Sequence, residues 1–231
     1  MTERDECYSL ARRAWAAHRL GDVEVAGTAL AQAEALEREI TPQVRYLYSL
    51  RGIQHADHLR RADDAAYARR VTEANLKICV EWHWPDKVSM AHRVLGDLDA
   101  DAGQHTSARE HYDEALKIAR GISFRPALIE ALLARGCWAA RQAATFPKAP
   151  SFREGLQAAF ADLNEALDYA TASGYRRYEA DIRIALAWAH LATGDTASAR
   201  REAERARAMS ADMGYHWGKV DAEEVLSQLG D

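Results

Sequence analysis

The sequence predicts an all-α protein built from repeated helical hairpins, and three observations lead there. Hydrophobic residues make up 48% of the 231 but aromatic ones only 8%, and Pro occurs just five times, an Ala-rich mixture that favours helix. Apolar residues recur at three- and four-residue spacing along almost the whole chain, the period of an amphipathic helix. Turn signals at Gly21-Asp22, Gly103 and Gly194 cut these periodic stretches into antiparallel pairs. Equivalent second-helix positions (Ala33, Asn75, Ala115, Ala166, Ala206) recur about every 40 residues, apart from one expanded unit.

The pattern is clearest from Met90 to Arg120. Met90, Val94, Leu95 and Leu98 share one helix face, Gly103 supplies the left-handed geometry of a helix end, and Ala108, Tyr112, Ala115, Leu116 and Ala119 line a second helix. Small residues at Gly96 and Ala108 let the two helices approach closely, with Tyr112 and Leu116 filling the space beyond.

In chain order, the first hairpin spans about 6–40, with helices Cys7–Leu20 and Val23–Glu39; Ala14, Gly21, Ala26, Leu30 and Ala33 match Gly96, Gly103, Ala108, Tyr112 and Ala115. The second, 42–84, is expected to open on Pro42 in the first turn of a helix. It takes Gly52 as its small position and continues through Ala68, Thr72, Asn75 and Leu76, which requires an insertion of about one helical turn near Leu59–Asp64. Trp82, Trp84 and Pro85 end it. The third covers 87–121. The fourth, 125–174, carries Ile129, Leu132, Leu133 and Gly136, an irregular loop from Thr145 to Ser151 with Pro147 and Pro150, then Ala159, Leu163, Ala166 and Leu167. Its halves are separated by an insertion of about 11 residues. The fifth, 178–213, matches through Ala187, Gly194, Ala199, Ala203 and Ala206, and a last helix at about 216–229 is expected to cap the stack. Gly174-Tyr175 and Gly214-Tyr215 begin equivalent helices.

The order small, turn glycine, small, aromatic, Ala-Leu resembles the tetratricopeptide repeat (TPR). That resemblance implies a right-handed α-α superhelix, a single solenoid of about five hairpins plus a C-terminal capping helix over 1–231. The long repeat, the Ser173-Gly174-Tyr175 junction and the closing GYHWGKVDAEEVLSQL are similar to the C-terminal arrays of bacterial STAND-type signalling NTPases. No GxxxxGK[ST] is present, so on that likeness the chain is an array without its nucleotide-binding motor.

Composition and motifs narrow the function classes. A net charge of −5, with Arg and Glu interspersed, argues against nucleic acid as a partner. No apolar run approaches the roughly 20 residues of a membrane span. Three scattered cysteines (Cys7, Cys79, Cys137) and a polar N-terminus without a signal peptide fit a reducing cytoplasm. Among nine histidines, His55 and His58 lie at i,i+3, but no HExxH or third ligand follows, so no metal or cofactor is expected. Cys137, between Gly136 and Trp138, reads as packing rather than a nucleophile. With no GxSxG, glycine-rich loop or carboxylate pair, the chain reads as a non-enzyme.

Transferring the TPR groove positions residue by residue implies a binding face. It takes Tyr8, Trp15 and Arg19 from the first repeat, Tyr46, Ile53 and Asp57 from the second, and Met90, Arg93 and Asp97 from the third. Glu130, Leu133 and Arg141 follow from the fourth, and Asp181, Ile184 and Trp188 from the fifth. Trp15 and Trp188 fit either groove lining or core packing, while Trp82, Trp84 and Trp217 read as packing at helix junctions. Such a mixed surface suits a peptide or helix of a partner protein, with self-association also possible; the alternative is a solvated surface. The resemblance implies a protein-interaction module, the sensor or scaffold array of a signalling ATPase. A second reading is a peptide or small-ligand receptor of the quorum-sensing TPR type.

Overall fold

The computed structural model describes residues 2–146 and 152–230, and among these every regular element is an α-helix. The chain packs as two compact units, residues 1–122 and 123–231, each of which has its own architecture.

The first unit contains α1 (Glu3–Leu20), α2 (Val23–Ile40), α3 (Ser49–Arg61), α4 (Ala65–Glu81), α5 (Pro85–Asp101) and α6 (His105–Arg120). Consecutive helices pair as hairpins, and the first helices of neighbouring hairpins also touch, α1 on α3 and α3 on α5. We call these first helices the A row. α1 starts earlier than the periodicity suggests because Thr2 and Asp5 form a reciprocal capping box. Gly21 and Gly103 occupy the left-handed region at φ 87° and 72°, as expected of helix-ending turns.

Close approach within the third hairpin has a direct measure. A Cβ on Gly96 would sit 2.7 Å from the Tyr112 ring, so the ring occupies space that only glycine leaves open. Ala14, Ala26, Ala33, Ala108 and Ala115 are fully buried, and the core between hairpins is accordingly thin.

The second hairpin differs from its sequence expectation. Its turn residue is Asp63, at φ 60°, a backbone region that Asp tolerates better than most residues. With Asp63 in the turn, Ala56 takes the small position, and Ala56, Asp63, Ala68, Thr72 and Asn75 fall at the spacings of Gly96, Gly103, Ala108, Tyr112 and Ala115. No insertion is needed near Leu59–Asp64. Gly52 lies one turn earlier, where a Cβ would come within 2.8 Å of the Asn75 amide. The irregularity sits instead in the α2–α3 connector, residues 41–48, which contains Pro42; helix resumes only at Ser49.

The second unit contains α7 (Arg125–Thr145), α8 (Phe152–Ala172), α9 (Arg176–Thr193), α10 (Thr196–Asp212) and α11 (His216–Gln228). Gly136 repeats the Gly96 arrangement against a different partner, its added Cβ falling 2.8 Å from Leu163. The expansion of the fourth hairpin lengthens both helices to 21 residues, against 17 and 16 in the third. Of the loop expected at Thr145–Ser151, Thr145 ends α7 and positions 147–151, with Pro147 and Pro150, lie outside the described residues. α11 packs on α9 and α10 through Ala222 and Val225, joining a cluster with Ile184, Ala187, Ala203 and Ala206. No helix among the described residues is long and apolar enough to cross a membrane.

Candidate functional site

In the first unit the A row brings several of the groove candidates together. Asp57 on α3 receives both guanidinium arms of Arg93 on α5, one at 2.9 Å, and Arg93 reaches on to Asp97 at 3.2 Å. Asp97 also accepts the Tyr112 hydroxyl at 2.8 Å and lies 3.9 Å from Arg60, which grips Asp101 at 2.5 and 3.0 Å. Burial works to raise the Asp57 carboxyl, but Arg93, with Arg60 and His18, holds it below the usual range. The charges expected to face a ligand are thus bonded to one another across the α3–α5 seam, a fixed polar rail rather than free clamps.

Beside this rail, α1 presents Tyr8 (47% exposed) and the half-buried Trp15 and Arg19. Trp15 stacks on the buried His18 with ring centres 4.9 Å apart, which holds the indole at the boundary between core and surface. Ile53 and Met90 are only 2% and 4% exposed, so these two groove candidates serve packing. Tyr46 lies in the connector, not on a helix, edge-on to Tyr67.

Behind the A row lies a polar interior that the periodicity did not announce. Arg51 donates to Glu37 at 2.6 Å and to the Cys7 sulfur at 3.0 Å, and its guanidinium covers the Tyr8 ring at 4.2 Å. Burial pushes the Cys7 thiol up, and Arg51 only partly opposes it, so this cysteine is a protonated packing group. Glu34 accepts the Tyr67 hydroxyl at 2.5 Å and lies 3.4 Å from the His55 Nδ1. His18 and His58 meet with Nδ1 atoms 3.3 Å apart, and His92 and His111 with theirs 3.0 Å apart. Burial drives His18 down to about 4, and lowers His58 and His92 as well. His55 and His58, neighbours in sequence, therefore turn to different partners. Among the described residues no group of three or more His, Cys, Asp or Glu side chains is arranged to hold a metal.

One sequence signal did point to this interior. Glu34 and Glu37 fall on the same α2 stripe as Leu30 and Ala33, and a carboxylate on an apolar stripe needs a buried partner.

In the second unit the A-row helices are α7, α9 and α11. Glu130 accepts the Tyr178 hydroxyl at 2.5 Å and lies 4.0 Å from Arg177, which bonds Asp181 at 2.8 Å. Arg141 lies 4.8 Å above the Trp188 ring and reaches Glu224 at 3.3 Å. Trp188 packs against the α9–α11 apolar cluster, while Ile184, at 5% exposed, belongs to it. Leu133 is half-buried. Trp188 is therefore wedged between core and guanidinium, and Trp15, also half-buried, lies against a histidine ring. Trp82 departs from its packing expectation: it is 63% exposed and stacks on Trp84.

No protein-family model matches the chain, and no curated protein matches its sequence. Its fold is similar to that in the crystal structure of the apo form of RapI, with a TM-score of 0.57 and 14% identity over 99% of this chain and 86% of that one. At that identity the likeness is one of fold: an all-α array of helical hairpins.

Proposed function

We propose that this chain is a non-catalytic interaction module that takes a peptide or helix of a partner protein along its A-row surface. One observation carries the reading. In the first unit the rail residues Asp57, Arg93, Asp97 and Arg60 are fixed by their mutual bonds, while α1 adds the exposed Tyr8 and the half-buried Trp15. A rigid polar strip flanked by aromatic anchors loses little entropy on binding, and exposed aromatics on a rigid base are the usual source of affinity. The finer reading, a cytoplasmic sensor or scaffold array of a signalling ATPase, rests on the sequence likeness described first.

A linear-peptide display library panned against the full chain tests the proposal. Binders are expected whose affinity falls roughly tenfold or more on Trp15→Ala or Tyr8→Ala and is unmoved by Arg109→Gln on the exposed side of α6. Enriched peptides indifferent to both aromatic changes would show that the A row is not the surface used.

A further inference from the structure

The second hairpin, whose entry connector is irregular, also borders a hollow. The α2–α3 connector lies against α4 and borders an open hollow of about 390 Å³, whose apolar lining is Val44, Leu47, Ala74 and Ile78. That volume lies at the small end of the range for ligand pockets. The connector is held in place by Asn75, which stands where the other repeats carry alanine. Its side-chain oxygen accepts the Ser49 N–H at 2.7 Å, and its amide donates to the Ser49 carbonyl at 3.0 Å. Leu47, fully buried, anchors the connector from within.

The rim is cationic. Arg45, Arg70 and Lys77 all line the hollow, and among the described residues none has a carboxylate within ion-pair distance. Glu73 lies on the same face of α4 within one turn of Arg70 and Lys77, yet pairs with neither. Arg45 and Arg70 instead lie over the Tyr46 and Tyr67 rings, 5.5 and 5.2 Å from their centres. Elsewhere in the unit the arginines nearest the core are tied to carboxylates, as Arg51, Arg60, Arg69 and Arg93 are. Three cations without a carboxylate partner around a small apolar lining form a charge arrangement that an anion completes.

We propose that this hollow binds a small amphipathic anion, a carboxylate or phosphate monoester joined to a short apolar body. The head group is taken by Arg45, Arg70 and Lys77 at the rim, and the body lies on Val44, Ala74 and Ile78. This site is separate from the A-row surface and does not depend on it.

The test is an NMR titration of the full ¹⁵N-labelled chain with octanoate, octyl phosphate, octanol and inorganic phosphate. Octanoate or octyl phosphate is expected to shift the amides of residues 43–47 and 70–78, and whichever binds more tightly identifies the head group. Arg70→Gln/Lys77→Gln is expected to weaken that binding roughly tenfold or more, with Arg109→Gln as an unaffected control. Both changes are at exposed side chains, and an unchanged amide spectrum elsewhere verifies the fold. The proposal is overturned if octanol binds as well as octanoate, if inorganic phosphate binds as well as octyl phosphate, or if no probe moves the connector.

Discussion

The two units share a hairpin plan but fill it differently. Among the described residues the first buries His18, Glu34, Glu37, Arg51, His55, His58, Thr72, Asn75, Ser89 and Asp99, whereas the second buries Asp162, Arg183 and Ser210 and otherwise closes mainly on Ala, Ile, Leu and Val. Alanine against alanine brings helices together with little specificity, because small side chains accept many registers. A buried carboxylate that must find one guanidinium accepts far fewer. The first unit therefore has its hairpin order fixed by polar pairing, at the expense of sensitivity to any change that leaves a charge alone.

That contrast is broken most severely at Arg51. Glu37→Leu leaves the guanidinium buried without its main carboxylate and is expected to cost about 3–5 kcal/mol, with Glu37→Leu/Arg51→Met recovering much of it. Native-state hydrogen exchange reads the two units separately, and only amides of residues 3–120 should lose protection. Equal loss in α9 and α10 would mean the units do not differ in this way.

Acid sharpens the same contrast. His18 is neutral when folded down to about pH 4, while an unfolded histidine takes up its proton near 6.5, so between those values the unfolded state binds more protons. Stability of the first unit should therefore fall as pH drops through that window, by up to about 3 kcal/mol from His18, with His58 and His92 acting in the same direction. Exchange protection of α1 and α3 should decline first. A pH-independent profile from 7 to about 4.5 would refute the account of the histidine seam.

Smaller effects belong to the glycine contacts. Gly96→Ala drives a methyl into the Tyr112 ring, itself tethered by Asp97, for about 1–3 kcal/mol less any gain in helix propensity. Gly136→Ala meets the buried Leu163 side chain at 2.8 Å and the Ala159 carbonyl at 3.3 Å, and should lower the melting temperature by a similar amount. Smallest of all, Arg176→Ala removes an ion pair exposed on both sides and should leave the second unit's stability within about 0.5 kcal/mol.

The helices were legible in the sequence because their signals are local: periodicity, turn glycines and small residues at fixed spacing. The second hairpin was less legible because Asp63 does a glycine's work in its turn, which leaves Gly52 as the visible small residue and implies an insertion that is absent. The A-row candidates were transferred from a pattern of positions, which carries no information on pairing. Nothing local to Asp57 or Arg93 says that they bond to each other across 36 positions of chain. The connector hollow escaped for the same reason, since Arg45 and Lys77 become neighbours only when residues 41–48 fold back against α4.

Asn75 carries one further implication. Repeat arrays are commonly regarded as strings of interchangeable parts, any of which can be duplicated, deleted or swapped for a consensus copy. The second hairpin is not such a part: a graft with alanine at this place would release Ser49 and let the connector swing free. Shuffling at this locus should preserve the helices and erase the hollow beside them.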